Sequence, residues 1–292
     1  MISFGAKIFT LALQIRKIKN RIMGIDPNPP RSKNEFIPSR ITNSYKTDIQ
    51  SVCNKTVATF ERKEEVTQNH VVFCHGGSYI YEIFSYHWKT VEKMVNLTSC
   101  RMTVIDYPLA PEYNYKDTFE MLEKSYELLV EKYPNDQFVL MGDSAGGGLA
   151  FAFSQKLVKE NYFKLPIKII LLSPWLDITM SNPEIKKLEK LDHMLNIQAL
   201  KNAANKYAGG DDQNQYLLSP INGEMKDLPK TIIFYGTHEL FYADCTKLKL
   251  ITKGINDNFI YKPYKNMQHD WTVIPISEGT KAVKEICNFL NN

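Results

Sequence analysis

The clearest chemical signal in this chain of 292 residues is a serine set between two glycines, in Gly142-Asp143-Ser144-Ala145-Gly146. An apolar run at 138–141 precedes the motif, and small apolar residues at 147–152 follow it. This order predicts a strand, a sharp turn and a helix, with the serine at the turn. Glycine is needed at both ends of the motif, because a side chain there would crowd the strained backbone. We therefore predict that Ser144 is a nucleophile.

A serine nucleophile needs a histidine that accepts its proton, and the order of residues along the chain selects one. Where such a turn carries a catalytic serine, an acid follows the serine and the histidine follows the acid. The histidines after the motif are His193, His238 and His269. Only His269 comes after both candidate acids, Glu239 and Asp244. We predict that His269 is the base, with a surface histidine as the alternative.

The acid that orients the histidine is predicted from its distance to a strand end. Residues 231–235 are apolar and indicate a strand that ends at Gly236. Glu239 stands three residues after that glycine, at the strand tip, whereas Asp244 falls five residues further, inside the next expected helix. We therefore favour Glu239 over Asp244. The alternative for either residue is a solvated surface carboxylate.

A second glycine-containing segment could stabilise the negative oxygen that forms when a serine attacks a carbonyl group. His75-Gly76-Gly77-Ser78 follows the apolar strand predicted at 71–74. Glycines let backbone amides approach a substrate oxygen closely, and such donors must be in place before the serine is useful. We predict that the amides of Gly76, Gly77 and Ala145 form this oxyanion hole. For His75 we favour a structural role, holding the loop by hydrogen bonds.

The surrounding elements alternate in a way that predicts an α/β fold. Helices are expected at 85–97, 118–132 and 147–160, and strands at 102–106, 138–141 and 167–172. A hairpin is expected at 48–60, with its turn at Cys53-Asn54-Lys55. The order implies a mostly parallel sheet with helices on both faces. Between 176 and 225 the alternation stops, and helical stretches at 185–190 and 197–207 read as an insertion.

At the level of whole motifs, the chain resembles the hormone-sensitive-lipase-like family of α/β-hydrolases, in its bacterial carboxylesterase branch. The matching segments are His75–Gly77, Asp106–Glu112, Gly142–Gly147 and Ser173–Asp177. The family usually has glycine where Ser78 stands, arginine where Pro108 stands, and aspartate as the acid. The resemblance implies a helical cap over the serine. We therefore expect a cap made of residues 1–40 and 176–225, and a hydrolase core made of residues 41–175 and 226–292. The alternative is that these helices only pad the sheet.

The N-terminal segment is predicted to form an amphipathic helix. Phe4, Ile8, Leu11, Ile15, Ile18 and Ile22 recur at spacings of three and four residues. Because the helices of the fold already cover the sheet, we expect this apolar face to pack against the 176–225 insertion. The basic residues within 16–21 offer the alternative of a membrane-surface helix. The segment has no small-residue cleavage site and is too short to span a bilayer, so no stable membrane anchor is expected.

The composition is typical of a globular enzyme and gives some information about its binding partners. The hydrophobic fraction is 43%, and a net charge of +4 gives no reason to expect nucleic acid as a partner. The five cysteines are scattered without metal-ligand spacing, so we expect free thiols, no metal and a cytoplasmic location. A homodimer is possible on this reasoning.

These residues together predict a serine carboxylesterase that acts on a small, short-chain acyl ester and needs no cofactor. Ser144, Glu239 and His269 would supply the chemistry. One alternative is an amide or formamide hydrolase using the same residues. Another is a ligand-binding protein that has kept the fold without catalysis, although such a protein would have no use for a proton relay.

Overall fold

The computed structural model describes residues 2–15, 29, 31 and 36–292, and within them one eight-stranded sheet organises the chain. The strand order is β1-β2-β4-β3-β5-β6-β7-β8. Strand β2 is antiparallel to both of its neighbours, and all the other pairs are parallel. The predicted α/β-hydrolase architecture is confirmed. The strands are β1 Lys46–Val52, β2 Lys55–Glu61, β3 Asn69–Cys74, β4 Arg101–Ile105, β5 Gln137–Asp143, β6 Lys168–Leu172, β7 Lys230–Gly236 and β8 Phe259–Tyr264.

The helices of the described residues follow the predicted alternation, with shifted ends. They are α1 Phe4–Ile15, α2 Ser39–Ser44, α3 Ser85–Thr98, α4 Tyr115–Lys132, α5 Ser144–Lys159, α6 Ile185–Leu188, α7 Ile197–Ala208, α8 Tyr242–Thr252 and α9 Ser277–Asn291. Helix α4 begins before the predicted Thr118, because Asn114 caps its first turn and Asp117 bonds back to the Asn114 amide. Helix α5 begins at Ser144 itself, which makes the serine the first helical residue.

The sheet separates two hydrophobic cores, because successive strand residues point to opposite faces. Val72 and Cys74 of β3 pack in one core with helices α4 and α5. Val71 and Phe73 pack in the other core with helices α3 and α9. This double covering explains why the central strands are almost continuously apolar.

Helix α1 buries a different face from the one predicted. The expected apolar line is exposed, with Phe4 at 79% and Ile15 at 71% of their full accessible surface. The buried residues are Ala6 and Leu13. Small residues bring the helix close to α9, since Gly5 faces Ile276 and Ala6 enters the core. The predicted packing of the apolar line was therefore wrong for the described part of this helix, and its continuation through Ile18 and Ile22 lies outside the described residues.

Candidate active site

The serine motif forms the sharp turn that the sequence predicted. Ser144 joins β5 directly to α5 and has a φ of +51°, a left-handed conformation rarely adopted by residues other than glycine. A Cβ atom on Gly142 would collide with the Gly146 carbonyl group, and one on Gly146 would collide with the Cys74 carbonyl group. The two glycines therefore allow the turn to form against the end of β3.

Three predicted site residues meet in one chain of hydrogen bonds. Nε2 of His269 lies 2.9 Å from Oγ of Ser144. Nδ1 of His269 lies 2.6 Å from Oε2 of Glu239. All three side chains are buried, and Ser144 keeps only 4% of its accessible surface. The structure thus places an acid, a base and a hydroxyl in the order that proton transfer from the serine requires.

Glu239 is held by more than the histidine. Its Oε1 accepts a hydrogen bond from the Gly236 amide at 2.7 Å and another from the Ser173 hydroxyl at 3.0 Å. Burial raises the pKa of Glu239, while the hydrogen bond and charge of His269 oppose that rise. Ser173 lies in one of the matching segments but was not predicted to take part in the site. Its position directly after β6 was the available signal, because neighbouring parallel strands end at the same edge of the sheet.

Asp244 has a different environment from Glu239. Its Oδ1 accepts a hydrogen bond from the Asn182 amide group at 2.8 Å, and it lies in the first turn of α8. Burial raises the pKa of Asp244 to about 6. Its carboxylate makes no hydrogen bond to His269 within the described structure.

One prediction about the oxyanion hole needs correction. The Gly76 amide donates a hydrogen bond at 3.0 Å to Oδ1 of Asp143, so it is already satisfied. The following amides, of Gly77 and Ser78, have no acceptor among the described residues. Gly77 has a φ of +130°, where a side chain would also strike the Tyr81 carbonyl group. The Ala145 amide lies in the first turn of α5, where helical amides have no partner within the helix.

The loop after β3 is fixed by a buried set of polar contacts. Nδ1 of His75 lies 2.7 Å from the Gly76 carbonyl oxygen, and the His75 ring stacks on Tyr107 with centroids 4.5 Å apart. Oδ2 of Asp143 lies 2.9 Å from Nε2 of His87 on α3. Burial by itself would raise the pKa of Asp143, but the charge and hydrogen bond of His87 hold that pKa below its ordinary value. His87 was not singled out from the sequence, because nothing in its spacing links it to the serine motif.

Part of the 176–225 insertion is bonded to the two loops that carry the acid and the base. Oδ2 of Asp192 accepts a hydrogen bond from the Leu240 amide at 2.8 Å, next to Glu239. The Gln268 side chain accepts from the His193 amide at 2.8 Å, next to His269. The His193 ring in turn lies 2.8 Å from Nε2 of Gln14 on α1. The insertion and α1 are therefore linked to each other beside the candidate site.

Comparisons with known proteins agree with this fold. The model of a family defined by the alpha/beta hydrolase fold matches residues 71–273. An esterase of Acinetobacter venetianus is 26% identical over 234 residues, which cover 78% of this chain and 77% of that protein. An acetyl-hydrolase of Streptomyces hygroscopicus is 26% identical over 225 residues, covering 75% of this chain and 74% of that protein. A solved hormone-sensitive lipase from a metagenome library has a TM-score of 0.82 and 23% identity, with 98% of each chain covered.

The matched family model spans well over half of the chain, so the chain belongs to the α/β-hydrolase fold family. The predicted resemblance to α/β-hydrolases is confirmed, and the solved hormone-sensitive lipase has the same fold. The class of this chain is that of the carboxylic ester hydrolases.

Proposed function

We propose that this protein is a serine carboxylesterase that hydrolyses short-chain acyl esters through Ser144, His269 and Glu239. The observation that carries the proposal is the continuous hydrogen-bonded line from the Ser144 hydroxyl, through both nitrogens of His269, to the Glu239 carboxylate. Such a line activates a hydroxyl that would otherwise be a weak nucleophile at neutral pH.

The reaction follows from the placement of these atoms. The Ser144 hydroxyl attacks the ester carbonyl carbon while Nε2 of His269 takes its proton. Glu239 holds the imidazole ring and stabilises the imidazolium ion. His269 then gives the proton to the leaving alcohol as the carbon–oxygen bond breaks, which leaves an acyl-enzyme. Water attacks the acyl group by the same route, its proton passing through His269, and the acid is released.

For the oxyanion hole we propose the amides of Gly77, Ser78 and Ala145. Gly76 is replaced in this set because its amide already bonds to Asp143. Donors without a partner are suited to stabilise a charge that develops only during the reaction. The amides of Gly77 and Ser78 satisfy that condition among the described residues.

The proposed preference for short acyl groups rests on aromatic crowding beside the histidine. The ring of Phe241 lies 5.1 Å from the ring of His269 and stacks on Trp175 at 5.8 Å. Tyr79 continues this layer from Trp175 to Tyr207, with the two tyrosine rings 3.8 Å apart. We propose that these buried rings bound the acyl-binding part of the site and so restrict the length of the acyl chain. The Streptomyces relative is an acetyl-hydrolase, which agrees with this preference.

We further propose that residues 1–40 and 176–225 form a cap on a core of 41–175 and 226–292. The hydrogen bonds from Asp192 and His193 to the loops at 240 and 268 support this division. The near-complete burial of the serine supports it too, because a cap that excludes water strengthens the electrostatic interactions inside a site.

We infer a cytoplasmic location from the cysteines, which are all unpaired, with Cys53 exposed and the other four buried. Within the described stretches, no helix has the length and apolar character needed to cross a bilayer. A homodimer stays a prediction.

A panel of p-nitrophenyl esters of graded acyl length tests the proposed function. We expect the highest kcat/KM for acetate to butyrate and a steep fall for longer chains. An N-formyl amine serves as the amide control and should be hydrolysed far more slowly. Rates that rise with acyl length would contradict the short-chain proposal, and faster hydrolysis of the amide would favour an amide hydrolase.

A further inference from the structure

A second carboxylate lies beside the catalytic nitrogen of His269. Asp270 follows the histidine in the chain, is 4% exposed, and has a φ of +52°. Its Oδ2 lies 3.2 Å from Nε2 of His269, the same nitrogen that lies 2.9 Å from Oγ of Ser144. Nε2 therefore faces two oxygen atoms, one from a carboxylate and one from the serine hydroxyl.

The Asp270 carboxylate is bonded less completely than the other buried acids of the site. Glu239 has three donors, and Asp143 is bonded to a glycine amide and to His87. Oδ1 of Asp270 has no hydrogen-bond partner among the described residues. An ionised carboxylate buried with so few donors is costly unless a positive charge lies close to it. The protonated imidazole of His269 supplies that charge.

We propose that Asp270 is a positioning residue that stabilises protonated His269 from the Nε2 side and so sets the pH above which Ser144 is activated. This inference rests on the proposed function, since it assigns a regulator of the same base. The Asp270 carboxylate does not touch the reacting carbon. It acts through the charge and orientation of the imidazole ring.

The direction of the effect follows from the groups that face His269. Burial by itself would lower the pKa of His269, but the charge and hydrogen bond of Asp270, followed by those of Glu239, raise that pKa well above its ordinary value. Asp192 of the insertion also interacts electrostatically with the ring. Burial raises the pKa of Asp270, and the charge and hydrogen bond of His269 oppose that rise. Asp143 adds to the rise and His87 opposes it.

Only the neutral imidazole can accept the serine proton, so activity rises as the pH passes through the pKa of His269. Removing the Asp270 charge makes the protonated imidazole of His269 less stable. The acidic limb of the pH profile should then move to lower pH. A purely structural residue would change the amount of active enzyme without moving that limb.

The test compares Asp270→Asn with wild type in kcat/KM for p-nitrophenyl acetate between pH 5 and 10. Asparagine tolerates the left-handed backbone at this position and removes the charge. We expect the midpoint of the acidic limb to fall by about one to two pH units. Asp244→Asn, which removes a buried carboxylate without contact to His269, should leave the midpoint unchanged. An unchanged midpoint in folded Asp270→Asn protein would overturn the proposal.

A second variant and a second readout keep the test independent of folding problems and of the substrate. Asp270→Gly also fits a positive φ and carries the test if the asparagine variant does not fold. The rate at which a fluorophosphonate modifies Ser144, measured against pH, should show the same downward shift. Wild-type protein that neither hydrolyses esters nor reacts with this probe would defeat the proposed function. If the wild type reacts but the midpoint of the acidic limb is the same in both variants, only the role of Asp270 is refuted.

Discussion

Glu239 and Asp244 are buried carboxyl groups on either side of the start of α8, yet their surroundings differ. Glu239 accepts hydrogen bonds from a backbone amide, a serine hydroxyl and His269. Asp244 bonds to the Asn182 side chain, and its other oxygen has no partner among the described residues. Only Glu239 can fix the tautomer of the imidazole, because only its oxygen reaches Nδ1.

We therefore expect Glu239→Gln to lower kcat by about 10³- to 10⁴-fold, because an amide in place of the carboxylate no longer stabilises the imidazolium ion. Asp244→Asn should keep kcat within about threefold of wild type, as expected for a substitution outside the reacting groups. Steady-state hydrolysis of p-nitrophenyl acetate by both variants, checked for equal thermal stability, measures the difference. A greater loss in Asp244→Asn would mean that the wrong acid was chosen.

Residue types and chain order were enough to predict the serine, the histidine and the acid, which the structure brings into one line of hydrogen bonds. The oxyanion loop was harder to predict. Glycine content suggested that the Gly76 amide was available, but that amide bonds to Asp143, whose side chain arrives from β5. The partner is distant in the chain, so no local pattern around Gly76 reveals it. His87, which also bonds to Asp143 from far along the chain, was missed for the same reason.

At the scale of elements, local periodicity predicted where helices form better than which face each one buries. Helix α1 was predicted to be amphipathic and is helical, but its apolar line is exposed. The close approach to α9 favours small side chains at Gly5 and Ala6, and a pattern of large apolar residues cannot predict such a contact. Helix α9 was absent from the sequence prediction, although its buried residues recur at helical spacing.

A matched pair of leucines tests the observed orientation of α1. Leu13 is buried to 8% exposure, and Leu11 is 53% exposed. We expect Leu13→Asn to destabilise the docked helix by about 2 kcal/mol, the scale of burying one leucine. Leu11→Asn should change its stability by less than about 0.5 kcal/mol.

Amide hydrogen exchange across α1 measures this local stability directly. Exchange should speed up in Leu13→Asn and stay near the wild-type rate in Leu11→Asn. The reverse result would show that the apolar line of α1 is the packed face, as the sequence suggested.

At the scale of the whole molecule, the site lies at one edge of the sheet, where four neighbouring parallel strands end. Ser144 follows β5, Ser173 follows β6, Glu239 follows β7 and His269 follows β8. Parallel strands end together, so residues far apart in sequence become neighbours without long connecting loops. The alternation of strands and helices predicted this edge. The bonds between the edge and the 176–225 insertion depend on single side chains, Asp192 and Gln268, and could not be predicted from that alternation.

The buried Asp244 carboxyl group should make the stability of the whole fold depend on pH. Its pKa is raised to about 6 by burial, whereas an unfolded aspartate titrates near pH ~3.9. A raised pKa contributes stability below the unfolded value, and that contribution is lost as the pH rises through the folded value. Between pH 4 and 7 the wild type should therefore lose about 2 kcal/mol relative to Asp244→Asn.

Urea unfolding of both proteins at pH 4 and pH 7 gives this difference. The exposed Asp227 provides a matched control, and Asp227→Asn should follow the wild type at both values. A gap between wild type and Asp244→Asn that does not change with pH would show that the carboxyl group titrates normally in the folded protein.

The nucleophilic role of Ser144 is the central claim, and the turnover of Ser144→Ala tests it most directly. Ser154, a second buried serine of α5, supplies the control, since within the described part of the chain its hydroxyl bonds only to the Phe151 carbonyl oxygen. On p-nitrophenyl acetate we expect Ser144→Ala to lose at least about 10³-fold in kcat with its circular dichroism unchanged, and Ser154→Ala to stay within about threefold of wild type. A folded Ser144→Ala protein that keeps more than about a tenth of wild-type turnover would contradict the account.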